Sequence, residues 1–167
     1  MLLRVKIKLK SPFLGNCRTT DKIRRFDRSK AFKHDIQVDM VRWNWAIEEA
    51  IEALGMDLDP SAVRVTPNYK APKLELYVRR WRDGKTGKQK EEMFESIKSG
   101  AVLTIDVLVI NNKEPEGSNA DDVFKKPTKE DLKDILSLVG RMLGLSPWGS
   151  KFGYGRFEVL AITPASK

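Results

Sequence analysis

Cysteine and histidine are almost missing from this chain, which carries Cys17 and His34 and no others of either type. A lone cysteine excludes an internal disulfide. With one histidine and one cysteine there is no ligand cluster of the kind zinc requires, and neither a metal nor another cofactor is expected. Long apolar runs are also absent: none reaches the ~20 residues that span a bilayer as a helix, so no membrane partner is expected. Residues 2–10 alternate aliphatic and cationic side chains and build no apolar leader core. Together these absences lead to the expectation of a reducing, cytoplasmic setting. Gly84-Lys85-Thr86 has the tail of a phosphate-binding P-loop but lacks its preceding glycine. No Ser or Cys stands with His34 in a recognisable nucleophile motif.

The composition is ordinary for a folded protein, with 41% apolar and 32% charged residues over 167 positions. That length suits one domain with a substantial core, and no internal repeat is visible, so residues 1–167 read as a single domain. The net charge of +8 is unevenly placed. Residues 1–34 hold eleven Lys/Arg against two Asp, and the rest holds twenty against twenty-one Asp/Glu. Cationic excess confined to one end of a chain points to a polyanionic partner.

Along the chain, Leu3, Val5, Ile7 and Leu9 alternate with Arg4, Lys6, Lys8 and Lys10, the period-two pattern of a half-buried strand. Its polar face reads equally as a nucleic-acid surface or as a lysine-guarded edge. Residues 16–38 form a long basic arm in which Arg18, Arg24, Arg25, Arg28 and Lys33 are interspersed with Phe26 and Phe32. Helical spacing of Met40, Trp43, Ile47, Ala50, Ile51 and Leu54 predicts a first helix over 39–54, capped by Asp39 and ended by Gly55. A second strand starts at Val63 and, interrupted by Pro67 and Pro72, continues to Arg82. Asp83-Gly84 and Thr86-Gly87 mark a hairpin tip, read as a plain solvated loop. Glu91–Ser99 reads as either a short strand or a helical turn. Ala101–Ile110 is an apolar strand and is expected to be the most buried. A polar loop follows over 111–127. Thr128 and Asp131 resemble a capping box, and Leu132, Ile135, Leu136, Val139 and Leu143 make the buried stripe of a second helix. Phe157–Ile162 is the last strand.

The chain is organised around Gly144–Val159. Gly144, Gly149, Gly153 and Gly155 are interleaved there with Trp148, Lys151, Phe152, Tyr154 and Arg156. Glycine at this density lets a ligand approach the main chain, and successive amides in such a loop can cradle an anion. The cations and rings supply charge and stacking faces. Lys151 and Arg156 are expected to contact phosphate, and Trp148, Phe152 or Tyr154 to stack bases. Gly149, Gly153 and Gly155 are expected to admit the ligand backbone. Lys6, Lys8 and the arm from Arg18 to Lys33 are expected to share one surface with this turn.

A helix ending in Leu-Gly, then Gly153-Tyr154-Gly155-Arg156-Phe157 and a final strand, resembles the glycine-rich signature of the RAMP superfamily of CRISPR-associated proteins. Phe94–Gly100 before an apolar strand is similar to the corresponding segment of the subunits that coat guide RNA. The resemblance covers mainly residues 91–162. It implies an α+β, ferredoxin-like (RRM-like) fold with an antiparallel βαββαβ sheet and two helices, in keeping with the element order read above. It implies a non-catalytic RNA-binding protein of antiviral defence, with single-stranded RNA as partner. Self-association along RNA, or association with a CRISPR-type complex, is implied as well. Two other readings stay open. One is a metal-independent endoribonuclease using His34 as general acid or base, a role that family's processing enzymes give to a histidine near the first helix. The other is a viral or mobile-element decoy that binds a CRISPR complex, guide RNA or a nucleotide signal.

Overall fold

The computed structural model describes residues 1–15, 36–69, 72–110, 125–146 and 149–165. Among them the architecture is α+β, with seven strands in two antiparallel sheets. β1 (Leu2–Leu9) buries Leu3, Val5, Ile7 and Leu9 and turns Arg4, Lys6 and Lys8 the other way, as its alternation predicts. It lies between β6 (Val102–Val109) and β7 (Phe157–Pro164), with Val5 opposite Ile105 on one side and Ile162 on the other. β3 (Val63–Pro67) pairs with the far edge of β6, giving the order β3-β6-β1-β7.

Two helices cover the apolar face of this sheet. α1 (Ile36–Ala53) contributes Trp43, Ala46, Ile47, Ala50 and Ile51, and α2 (Lys129–Leu138) contributes Leu132, Ile135 and Leu136. The Trp43 indole would strand its N–H in this core; instead Nε1 donates to Tyr69 Oη at 3.0 Å. Its ring lies 5.3 Å from Phe157. α1 begins earlier than expected. Asp39 is therefore not its cap but a buried first-turn residue, where a carboxylate suits the positive end of the helix dipole. Burial lowers the Arg42 pKa, and the Asp39 charge opposes that shift in part. Thr128 and Asp131 do form the capping box: Asp131 N–H donates to Thr128 Oγ1 at 3.1 Å, and Thr128 N–H to Asp131 Oδ2 at 2.8 Å. α2 runs on into a widened π turn, Val139–Leu143. There Gly140 lies against β7, and a Cβ added to it would stand 2.3 Å from Phe157 O.

The strand pattern exceeds the βαββαβ order expected. Residues 63–82 are not one interrupted strand. β3 stops at Pro67, and β4 (Leu74–Arg82) belongs to a second sheet with β5 (Gln89–Ile97) and β2 (Phe13–Leu14), in the order β2-β5-β4. The two prolines explain the break, since neither donates to a ladder. The ambiguous 91–99 segment resolves as β5, pinned by a nine-residue register that runs from Leu74 opposite Ile97 to Arg82 opposite Gln89. β6 is not more buried than β1: each buries four of its eight residues, and in β6 Val102 is 54% and Leu108 42% exposed. The second sheet has its own small core of Leu14 and Phe94, with Tyr77 and Tyr154 packed on it.

Candidate nucleic-acid interface

The glycine-rich segment is tied down by the corner between β1 and β2. Gly144, at φ +67°, ends the helical run, and its amide donates to Val139 O at 2.8 Å. Leu145 N–H donates to Gly155 O at 3.1 Å, and Gly155 N–H to Pro12 O at 2.8 Å. Ser11 acts twice: Oγ donates to Gly153 O at 2.5 Å and accepts from Arg156 N–H at 2.9 Å. Ser146 Oγ accepts from Leu14 N–H at 2.7 Å. These contacts engage the amides of Gly144, Leu145, Gly155 and Arg156 inside the protein, so the anion-cradling concavity expected of this stretch is not built from them.

The glycines serve different ends. Gly155 is buried at φ +67°, and a Cβ there would meet Ser146 N at 2.6 Å and Leu145 N at 2.7 Å. Its missing side chain admits the protein's own backbone. Gly153, at φ +77°, is open by comparison, with Arg156 Nε 3.8 Å from an added Cβ. Gly149 opens the one-turn helix α3 (Gly149–Phe152). The Arg156 Nη1 donates to Arg141 O in the π turn, where a cation meets the negative end of a helix.

The side chains of Lys151, Phe152 and Tyr154 gather beside β4. Phe152 is 49% exposed. The Arg79 guanidinium lies 4.6 Å from the Phe152 ring centroid and 4.9 Å from that of Trp81, a cation shared by two aromatic faces. Lys151 Nζ stands 5.3 Å from the same Phe152 ring. Arg79 Nη1 is 3.6 Å from Glu92 Oε2 across the hairpin. Tyr154 Oη lies 3.1 Å from Tyr77 Oη, with the rings edge-on at 5.5 Å. Burial, then the bond to Tyr77, pushes the Tyr154 phenol up to about 12, so it is neutral at ordinary pH.

Sequence reasoning missed Tyr77, Arg79 and Trp81. The signal was present as period two: in β4 they share one face, opposite Phe94, Glu92 and Lys90. The hairpin beyond them is basic, with six Lys/Arg against three acids over residues 79–92. Arg80 pairs with Glu91 at 2.8 Å and Lys90 with Asp83 at 2.7 Å. Lys90 and the Lys85 amide hold the Asp83 carboxyl down at about 2. Arg82, Lys85 and Lys88 are exposed at the tip.

Lys6 and Lys8 stand elsewhere. They project from the sheet face that points away from α1 and α2, whereas the turn is anchored through Leu145 in the helix-side core. Their row is interrupted by ion pairs, Arg4 with Asp106 at 2.9 Å and Lys10 with Glu158 at 3.0 Å. The contacts thus group the turn with β4 and not with the lysines of β1. Arg18, Arg24, Arg25, Arg28, Lys33 and His34 of the arm, and Trp148, lie outside the described residues. Among the described residues no cluster of three or more His, Cys, Asp or Glu stands ready for a metal, and no helix is long and apolar enough to cross a membrane. No protein-family model matches the chain, and no curated protein matches it.

Proposed function

We propose that this chain is a non-catalytic protein that binds single-stranded RNA on a ferredoxin-like core, akin to the guide-RNA-coating subunits of the RAMP superfamily. The core reading is supported by the order β3-β6-β1-β7, with α1 leading from β1 to β3 and α2 leading from β6 to β7. The β4–β5 hairpin is then an insertion between the second and third core strands. The observation that carries the RNA reading is the meeting of Lys151, Phe152 and Tyr154 with Tyr77, Arg79 and Trp81. Rings held in place by a shared guanidinium, beside a basic hairpin, are a sequence-tolerant stacking platform with cations for the phosphates. Bases stack on Phe152 and Trp81; Lys151, Lys85 and Lys88 meet the backbone.

Fluorescence anisotropy with labelled oligouridine across a salt series tests this. Affinity falls steeply as salt rises. Phe152→Ala removes one stacking face, worth about 1–3 kcal/mol, and weakens binding about 5- to 150-fold. Absence of binding at low salt, or wild-type affinity in Phe152→Ala and Trp81→Ala alike, refutes the reading.

A further inference from the structure

A second site lies away from these rings. β7 is an outer strand; it pairs with β1, and no strand pairs with its other edge among the described residues. Between that edge and the start of α2 runs a groove of about 400 Å³, lined by Lys129, Glu130 and Lys133 from the helix and by Leu160 and Ile162 among the strand residues. A bulge falls at the same place: Lys6 is opposite Ala161 and Ile7 opposite Val159, which leaves Leu160 as the extra residue. Bulges re-aim side chains and limit how far an edge can pair. Here Leu160 is left 49% exposed.

An open edge with an exposed leucine invites strand pairing. On β7 the charge of Glu158 is paired with Lys10 and the bulge limits the ladder, while two cations sit across the groove on the helix. A helix and a free strand edge flanking one groove form the arrangement in which an extended peptide adds as a further strand. Main-chain hydrogen bonds hold the peptide, and alternate side chains are read on either side of it. The lining, two lysines to one glutamate with aliphatic strand residues, is complementary to acidic side chains alternating with aliphatic ones.

We propose that the α2–β7 groove binds a short extended peptide of alternating acidic and aliphatic residues by strand addition to β7. The acidic side chains meet Lys129 and Lys133, and the aliphatic ones lie beside Leu160. The bulge keeps the added ladder short, so specificity rests on the two lysines.

The test uses the full chain without RNA and a fluorescein-labelled octapeptide that alternates valine and aspartate. Two control peptides accompany it, one with lysine for aspartate and one N-methylated at alternate amides. The acidic peptide is expected to bind at least tenfold more tightly than either control. Lys129→Glu with Lys133→Glu is expected to remove that preference for the acidic peptide over the lysine one. Both substitutions lie on exposed positions, so the fold is retained. Equal binding of the N-methylated peptide, an unchanged preference in the double variant, or no binding of the acidic peptide each overturns the proposal. Because RNA is absent and neither lysine belongs to the ring cluster, failure here leaves the RNA reading standing.

Discussion

Replacing Gly155 by alanine separates two meanings of a glycine-rich turn. At φ +67° an alanine sits in the left-handed region, at a cost of about 1–2 kcal/mol. Its Cβ would also stand 2.6 Å from Ser146 N, 2.7 Å from Leu145 N and 2.8 Å from Ser146 Oγ. Two of these neighbours are backbone and cannot swing aside, and overpacking of this kind costs about 1–3 kcal/mol. The sum is about 2–5 kcal/mol. Gly153→Ala is the internal control. It has comparable backbone strain at φ +77°, but its nearest neighbour is the flexible Arg156 side chain at 3.8 Å, so its cost is the strain alone, about 1–2 kcal/mol.

Thermal unfolding followed by tryptophan fluorescence measures both. At about 2–4 °C per kcal/mol for a domain of this size, Gly155→Ala lowers Tm by about 4–20 °C and Gly153→Ala by about 2–8 °C. In folded Gly155→Ala, RNA affinity stays near wild type, because the glycine faces Leu145 and Ser146 and not a ligand. A Gly155→Ala variant no less stable than Gly153→Ala, but with reduced RNA affinity, refutes this reasoning and restores the glycine to the ligand.

Other expectations are simpler. Gly140→Ala ought to stabilise a helix by about 1 kcal/mol on propensity, yet the clash with Phe157 O and ring reverses the sign; thermal melts are expected to show about 1–3 kcal/mol of destabilisation. Thr128→Ala removes the capping hydroxyl and costs about 1 kcal/mol. The same box depends on pH. Hydrogen bonds from Thr128 hold the Asp131 pKa below its ordinary value, so its contribution is complete above the unfolded carboxyl pKa and is lost as pH falls through the folded one. Acid melts of wild type and Asp131→Asn therefore converge at low pH. Tyr154 works the opposite way: with its pKa raised to about 12, its contribution is complete below the ordinary phenol value and is lost as pH rises toward 12. Ultraviolet phenolate titration is expected to lose a late-titrating tyrosine in Tyr154→Phe.

Much of the core was legible because its residues obey one period at a time. Leu3, Val5, Ile7 and Leu9 repeat every second residue, Leu132, Ile135, Leu136 and Val139 every third or fourth, and both sets are buried. The second sheet was legible only in part. Leu74, Leu76 and Val78 alternate as a strand should, but the face between them is of mixed chemistry, Tyr77, Arg79 and Trp81 against Lys90, Glu92 and Phe94, and nothing in the pattern separates this strand from the one that starts at Val63. The start of α1 was misplaced because a buried Asp39 looks in sequence like an exposed cap. At the turn, glycine content was visible but its purpose was not. Whether a missing Cβ makes room for a ligand or for Ser146 is decided by a β1–β2 corner more than 130 residues away along the chain.

That corner also decides which physical term dominates binding. With the amides of Leu145, Gly155 and Arg156 bonded internally, these groups are not available to phosphate, and the proposed RNA interface rests on side chains. A backbone cradle would bind phosphate whatever the side chains were, and would survive removal of the rings. A side-chain platform divides its affinity between stacking, which salt barely changes, and ionic pairing, which salt weakens. Phe152→Ala is therefore expected to lower affinity with an unchanged slope of log affinity against log salt. Lys85→Ala with Lys88→Ala is expected to flatten that slope by up to ~0.7 for each single-strand phosphate that is no longer neutralised. If Phe152→Ala flattened the slope and the lysine pair did not, the phosphates would lie along the turn and the bases along the hairpin, reversing the assignment made from Arg79 and its two rings.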